Sequence, residues 1–164
     1  MTNRAIEVHS LIFSPYQTEA TAQNSINTYD DWLLLPSKKP VIVLPPVRTN
    51  FVEVLGMNGA YDASGILDIT NHNPTYGMRE GSIEFYIEDY KTNMTFESTK
   101  RAIANYLHGK QLSVSLASDQ GIYYDGRWEI DEIHTDENWS MITLKYCLDS
   151  HGWYMSSGTK HSTL

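Results

Sequence analysis

Histidine, glycine and lysine stand side by side at His108, Gly109 and Lys110, a combination that can mark a phosphate-binding loop, a metal ligand or a catalytic base. The neighbouring pattern decides between these chemistries. Apolar residues recur at helical spacing over about 96–108, and strand-like alternation follows directly. A phosphate cradle needs its glycines before a helix, not after one. We therefore predict a helix over this range, with His108 in its last turn, Gly109 as the left-handed cap and Lys110 in solvent.

No other group of residues has the spacing that metal binding or catalysis requires. The 6 histidines are scattered, and none pair at i, i+4 on a helix. Asp30 and Asp31 are adjacent, so on a strand their carboxylates point to opposite faces. The single cysteine, Cys147, lies in an apolar strand pattern, which indicates a buried thiol rather than a nucleophile. The sequence predicts no metal, no cofactor and no enzyme; a catalytic site assembled in space is the least favoured alternative.

The composition is that of one globular domain. The chain has 164 residues, of which 41% are hydrophobic and 20% are charged. Its formal net charge is −8, whereas a protein that grips nucleic acid by its phosphates needs a basic surface. The longest apolar runs are short and interrupted by proline, so no segment is expected to span a membrane. We expect neither sequence-specific nucleic-acid binding nor membrane insertion.

The elements that position these residues are mostly strands, because tyrosine and β-branched residues recur in short alternating runs. Predicted strands cover residues 5–13, 32–35, 41–44, 49–55, 82–88, 111–116, 128–133 and 141–148. Asp125-Gly126 indicates a tight type I′ hairpin turn. The pattern predicts a mainly β fold, an antiparallel β-sandwich or barrel-like domain, with one flanking α-helix at about 96–108.

A single β domain is expected over residues 1–150, and residues 1–26 are predicted to form an N-terminal strand and a polar arm. Residues 151–164 are expected to be a polar, flexible C-terminal tail.

Four aromatic residues are candidates for a sugar-binding platform: Tyr123, Tyr124, Trp128 and Trp139. On a sheet, such residues more often form core contacts or cross-strand pairs. A small β-sandwich module that binds glycans remains the alternative function, and it requires these aromatics to line one exposed face.

The order of several short motifs is more specific than any one of them. The chain reads NTYDDWLLLP, then VLPPVRTNFVEVLGMNGAYDAS, YGMREGSIEF, NYLHGK and YYDGRWEI. Over roughly residues 27–150 this order resembles the N-terminal domain of the distal tail (Dit) proteins of long-tailed phages and their prophages. The residues that carry the resemblance are Gly56, Gly59, Asp62, Arg79, Glu80, Gly81, Leu107, His108, Gly109, Tyr123, Tyr124, Gly126 and Arg127.

The resemblance implies a tail-tube-related β domain without catalytic residues. It implies a hexameric ring at the distal end of the tail tube in the virion, with a lumen for DNA. Its implied partners are further copies of the chain, the tail tube protein, the tail-tip or tail-associated protein and, in many phages, receptor-binding proteins. Many family members continue into a second, galectin-like domain. Here the strand pattern ends at Asp149, so we expect no such domain and favour a tube-to-tip adaptor.

Overall fold

The structure, a computed structural model, describes residues 9–56, 58–68, 73–87, 95–136 and 139–164. Within them, the strands are β1 (Leu11–Pro15), β2 (Ile26–Asn27), β3 (Leu34–Pro36), β4 (Val47–Arg48), β5 (Phe51–Glu53), β6 (Ala60–Asp62), β7 (Thr75–Tyr76), β8 (Arg79–Ile87), β9 (Gln111–Leu116), β10 (Asp119–Thr135), β11 (Ser140–Leu148), β12 (Gly152–Ser156) and β13 (Thr159–Thr163). The described residues also contain one α-helix, α1 (Phe96–Leu107), and a 3₁₀ helix at Ser64–Asp68.

A nine-stranded antiparallel sheet organises the chain and curls into a half-barrel. Its main path runs β2–β1–β9–β10–β11–β8–β3, and the hairpin β12–β13 joins it through β10. Two small sheets, β4–β7 and β5–β6, lie outside this path. The predicted fold class, mainly β and antiparallel with a flanking helix, is confirmed.

Alternation of apolar and polar residues gives the sheet its buried face. Ile83 and Phe85 in β8 are buried, and they pair with the fully buried Leu144 and Ile142 of β11. Residues two apart on a strand point to the same face. These cross-strand pairs therefore form one continuous core layer.

The predicted helix is present, but it ends at Leu107, so His108 is its C-cap rather than a residue of its last turn. Thr95 is its N-cap, and its hydroxyl accepts the N–H of Ser98 at 3.3 Å. At the other end the N–H of His108 donates to the carbonyl of Ala104 at 3.2 Å. Gly109 follows with φ +73°, the left-handed conformation predicted for it.

A row of aromatic rings joins the helix to the sheet. Tyr106 on α1 lies 5.7 Å from Trp32 between ring centroids, and Trp32 lies 6.3 Å from Phe13. Phe13 meets Trp128 edge-on at 5.0 Å, and Trp128 lies 5.1 Å from Tyr146. Such contacts add to the free energy gained by burial, so they anchor α1 over the sheet.

The Asp125-Gly126 pair does not form the predicted hairpin turn. β10 runs unbroken through it, and the chain reverses at residues 117–118 instead. Gly126 allows close strand approach, because a β-carbon there would lie 2.6 Å from the Cα of Leu148. The Asp125 carboxylate is buried and accepts a hydrogen bond from the Ser113 hydroxyl. The two residues that indicated a turn therefore serve packing inside a strand.

The C-terminal residues also differ from the prediction. In place of a flexible tail at 151–164, the structure has the hairpin β12–β13, whose turn contains the left-handed Ser157 and Gly158. Trp153 pairs with Tyr123 of β10, and their rings stack at 4.6 Å. Trp153 is only 5% exposed, so one buried aromatic anchors an otherwise polar segment.

Strands predicted in the first third of the chain are shorter or absent. The strand at 32–35 is found as β3, and the one at 49–55 is reduced to β5. Residues 41–44 form no strand. Here the N–H of Val43 donates to the Tyr146 hydroxyl at 3.2 Å, so this segment bonds to a side chain rather than to a neighbouring strand.

The predicted N-terminal strand is found as β1, and residues 1–8 lie outside the described part of the chain. The polar arm that follows contains β2 and is tied to the sheet. The N–H of Gln17 donates to the Ser113 hydroxyl at 2.8 Å, and the N–H of Ala20 donates to the Tyr123 hydroxyl at 3.2 Å.

Candidate functional site

Exposed apolar side chains are concentrated in one part of the chain. More than half of the large ones among the described residues lie between Val41 and Ile66. They are Val41, Val43, Leu44, Val47, Phe51, Val52, Val54, Leu55, Tyr61 and Ile66. A soluble monomer seldom exposes so many large apolar side chains in one segment unless a partner covers them.

The middle of this segment is the apolar hairpin, residues 51–62, which consists of β5, β6 and their connection. Phe51 is 60% exposed, and Leu55 is fully exposed. No described strand adds to either edge of the hairpin. A lone two-stranded ribbon is at best marginally stable in water, so this hairpin is built to pack against something else.

The family-motif residues Gly56, Gly59 and Asp62 shape the apolar hairpin. Both glycines have positive φ angles, +89° and +95°, which other residues adopt only with strain. The Asp62 carboxylate accepts the N–H of Ser64 at 2.9 Å. Hydrogen bonds from the Ser64 side chain and backbone lower the pKa of Asp62 below its ordinary value. These angles and this hydrogen bond shape the hairpin.

Two other motifs meet across β11, although they are far apart in sequence. Arg79 and Gly126 pair with the same residue, Leu148, from opposite sides. The next residues along, Glu80 and Arg127, likewise pair with one shared neighbour. Sequence order alone gave no indication that these motifs form one structural junction.

The Arg79 guanidinium holds this junction together. It is 1% exposed, and its Nη1 donates to the carbonyl of Val43 at 2.8 Å while its Nε donates to that of Ser150 at 3.1 Å. It also lies 5.0 Å over the Tyr124 ring. Burial lowers the pKa of Arg79 below its ordinary value, and the neighbouring tyrosines oppose that change. Nε and Nη1 thus serve backbone carbonyls, which is a structural role, whereas Nη2 is buried without a hydrogen-bond partner among the described residues.

The end of α1 joins β10 through backbone and side-chain hydrogen bonds. The His108 Nδ1 accepts the N–H of Ile130 at 3.0 Å, and the N–H of Gly109 donates to the carbonyl of Trp128 at 2.7 Å. Arg127 Nη1 donates to the Gly109 carbonyl at 2.9 Å. The motif that follows Leu107 is therefore a docking contact between helix and sheet.

A cavity of about 320 Å³ lies beside this junction. It is lined by Glu80, Gly109, Arg127, Trp128, Glu129, Lys145, Tyr146 and Cys147. Burial raises the pKa of the Cys147 thiol above its ordinary value, and the nearby Glu80 carboxylate raises it further. The cavity does not activate this thiol as a nucleophile, because a nucleophilic cysteine needs its pKa lowered.

The described residues offer neither a cluster of metal ligands nor a membrane-spanning helix. They contain no group of three or more histidine, cysteine or acidic side chains placed to hold a metal ion. No helix among them is long and apolar enough to cross a membrane.

A second cavity, of about 330 Å³, lies where the C-terminal hairpin meets β10. Lys160 reaches into it, with its Nζ 4.3 Å from the centre of the Trp153 ring and 3.6 Å from Asp125 Oδ2. Desolvation, and secondly the Asp125 carboxylate, raise the pKa of Asp149 above its ordinary value, while Lys160 lowers it. Lys160 therefore adds a contact to a ring and to a buried carboxylate beside the Trp153 anchor.

We expect Asp149→Asn to stabilise the protein at neutral pH. A carboxyl group whose pKa is raised on folding favours the folded state below its unfolded pKa, and this contribution is lost as the pH rises through the folded value. The gain should be below about 1 kcal/mol, because the group is partly exposed and screened. Urea unfolding at pH 7 and pH 3 measures it; an equal gain at both values would show that ionisation of Asp149 is not the cause.

The four candidates for a glycan platform do not share an exposed face. Tyr123 and Trp128 are buried, and Tyr124 is half-buried beneath Arg79. Trp139 is 41% exposed. The core interpretation of these aromatics is therefore correct for most of them, and the structure lacks the aligned platform that the glycan alternative requires.

The comparison with solved structures relates this fold to a known protein. A crystal structure of the Dit protein (gp 19.1) of phage SPP1, described as a paradigm of the hub adsorption apparatus in phages that infect Gram-positive bacteria, aligns with a TM-score of 0.61 at 14% sequence identity. The two proteins share a fold. The alignment covers 88% of this chain and 52% of that protein, so this chain spans about half its length. No protein-family model and no curated protein sequence matches the chain significantly.

Proposed function

We propose that this chain is a structural protein of a phage tail or baseplate. Its copies form a ring, hexameric by the family resemblance, at the distal end of the tail tube. The ring connects the tube to the tail-tip or fibre proteins and leaves a lumen for DNA. The proposal rests on the fold shared with the SPP1 Dit protein together with the motif order along the chain.

The observation that carries the proposal further is the exposed apolar hairpin at residues 51–62. Its large side chains face solvent in the isolated chain, so a partner surface must cover them. When one patch contacts a different patch on the next copy, the copies close into a ring if the rotation between them fits. In such a ring the hairpin of each subunit packs against its neighbour.

The remaining features agree with a structural role. The net charge of −8 suits a lumen that lets DNA pass without holding it. The polar side chains of the motif residues are used in capping and in holding strands together. We assign no catalytic residue and no cofactor, and we place the protein in the virion tail of a phage or prophage.

Light scattering across a concentration series tests the proposal. We expect the wild-type mass to rise toward that of a ring, and Phe51→Asp/Leu55→Asp to remain a monomer with an unchanged circular dichroism spectrum. Met155→Asp is the matched control, because Met155 is exposed on the C-terminal hairpin instead. A wild-type protein that stays monomeric at every concentration, and that electron microscopy shows without rings, would contradict the proposal.

A further inference from the structure

Four strands of the sheet form a ribbon with two open sides. The second half of β10, β11, β8 and β3 lie side by side in that order. Beyond Ile130, whose N–H donates to His108, no described strand pairs with the outer side of β10. No described strand pairs with the outer side of β3 either, although the N–H of Leu34 donates to the carbonyl of Thr28 at 2.9 Å, so only the end of this side toward Ser37 is open. Open strand sides are sites where another chain can add.

The open side of β10 is acidic. We define the acidic edge as residues 129–135, which contain Glu129, Asp131 and Glu132 and no lysine or arginine. Glu129 contacts Lys145 across the sheet at 3.6 Å. The carboxylates of Asp131 and Glu132 are exposed and form no ion pair with another described residue. A bulge in the pairing at this point displaces Asp131 from the regular ladder.

The opposite side of the ribbon is basic. The N–H of Ser37 donates to the carbonyl of Glu84 at 2.9 Å, so the chain continues along β8 after β3 ends. Lys38 and Lys39 come next, and both are exposed without an ion pair to any described residue. We define the basic edge as residues 36–40. Its two prolines, Pro36 and Pro40, remove backbone donors, so side-chain charge must supply much of any contact made here.

The two edges lie at the same level of the ribbon. Glu132 pairs with Thr143, Thr143 pairs with Glu84, and Glu84 accepts the N–H of Ser37. This row places Ser37 opposite Glu132 across the ribbon. The chain bends at Ser37 and Lys38, and Lys38 and Lys39 line one cavity with Ser82 and Ile83 of β8. These two β8 residues pair with Lys145 and Leu144, which pair in turn with Glu129 and Ile130, so the lysines lie near the level of the residues that precede Glu132.

Strand direction also suits contact between copies. Each of the four strands is antiparallel to the next, so β10 and β3 run in opposite directions. A neighbouring copy placed by rotation about an axis along the strands brings its β10 beside this β3 in antiparallel orientation. The alternation of strand direction then continues from one copy to the next without interruption.

We propose that the acidic edge of one copy contacts the basic edge of the next copy, which sets the direction and register of assembly. By this register Asp131 lies near the level of Lys38 of the neighbour, and Glu132 lies level with its Ser37, one residue from the same lysine. Because the two edges differ, the contact is heterologous; it cannot form a two-fold dimer, and it closes into a ring where the rotation between copies fits. Two acidic edges, or two basic edges, repel each other when they are brought together, which disfavours contact between identical edges of two copies. This inference deepens the proposed ring function and rests on it.

Charge reversal in pairs tests the contact by light scattering. We expect Lys38→Glu/Lys39→Glu and Asp131→Lys/Glu132→Lys each to weaken association by roughly tenfold or more. The variant with all four substitutions should recover assembly, because the two edges then exchange charge. Asp119→Lys is the matched control, since it reverses an exposed acid at the other end of β10.

A second measurement separates this contact from ring formation. Carbodiimide joins a carboxylate to a touching amine, and it is applied to a mixture of ¹⁴N- and ¹⁵N-labelled protein. Within one chain the two edges are three strand spacings apart, about 14 Å, so their direct cross-link must join two copies. We expect mixed-isotope cross-links between Lys38 or Lys39 and Asp131 or Glu132.

The outcomes are distinguishable. If rings form, are unaffected by either reversal and lack this cross-link, the edge contact is wrong and the ring proposal stands. If the wild type remains monomeric yet gives the mixed-isotope cross-link, the edge contact stands and the ring proposal fails. A third outcome is a wild type that forms no rings and gives no cross-link between the two edges that is more abundant than the cross-links of the control residue Asp119. In that case both the ring proposal and the edge contact are wrong.

Discussion

Gly126→Ala is expected to lower the free energy of unfolding by about 3 kcal/mol or more. A β-carbon at this position would overlap the carbonyl oxygen of Cys147 and lie 2.6 Å from the Cα of Leu148. Both atoms belong to the backbone of β11, which cannot move without breaking its pairing with β8. Urea unfolding should show a lower midpoint with an unchanged slope, and thermal unfolding a decrease of about 10 °C.

Gly109→Ala is the control that separates steric overlap from backbone strain. A β-carbon on Gly109 would have no atom within 4 Å, but φ is +73°. Gly109→Ala should lower the free energy of unfolding by about 1–2 kcal/mol, because alanine is strained in a left-handed conformation. If Gly126→Ala were no more destabilising than Gly109→Ala, close approach between β10 and β11 would not be the reason for glycine at position 126.

The comparison of these two glycines shows what the sequence can and cannot predict. Gly109 ends an amphipathic helix, and local rules were sufficient to predict both the helix and its cap. Gly126 follows an aspartate, and the same local rules predicted a turn. The close contact that requires Gly126 comes from β11, about twenty residues later in the chain, so no local pattern contains it.

The sequence pattern also failed to predict burial where a single apolar residue anchors an otherwise polar segment. Trp153 anchors the C-terminal hairpin, but the polar residues around it indicated a flexible tail. The apolar hairpin presents the opposite problem. Its short alternating runs predicted a strand correctly at β5, yet alternation cannot show whether the apolar face is covered by the same chain or by another one.

The charged edges could not be identified from sequence for a further reason. Lys38-Lys39 and the acidic edge are separated by some ninety residues, and only the order of strands places them on opposite sides of one ribbon. The resemblance in motif order gave the fold correctly, because each motif fixes a local contact such as a cap, a tight turn or a strand crossing. The partner-facing residues lie outside those motifs, so the resemblance did not indicate them.

Arg79→Ala is expected to lower the free energy of unfolding by about 3–4 kcal/mol, because it removes the donors of two partly buried carbonyl bonds and empties the space of a fully buried side chain. Arg79→Met fills much of that space and removes a desolvated charge, so it should lower the free energy of unfolding by only about 1–2 kcal/mol. Both variants lose the bond to Val43. Hydrogen exchange at residues 41–44 should therefore increase in both, whatever their difference in global stability.

This pairing of variants distinguishes a structural clamp from simple space filling, and it bears on assembly. The Arg79–Val43 bond ties the segment after the basic edge to the sheet, so losing it should loosen that edge and weaken association even in the stable Arg79→Met protein. Arg79→Lys should behave like Arg79→Met, since a single ammonium group cannot reach both carbonyls as the planar guanidinium does. Unchanged exchange at residues 41–44 in Arg79→Met would show that Val43 is held by its other contacts, chiefly the Tyr146 hydroxyl.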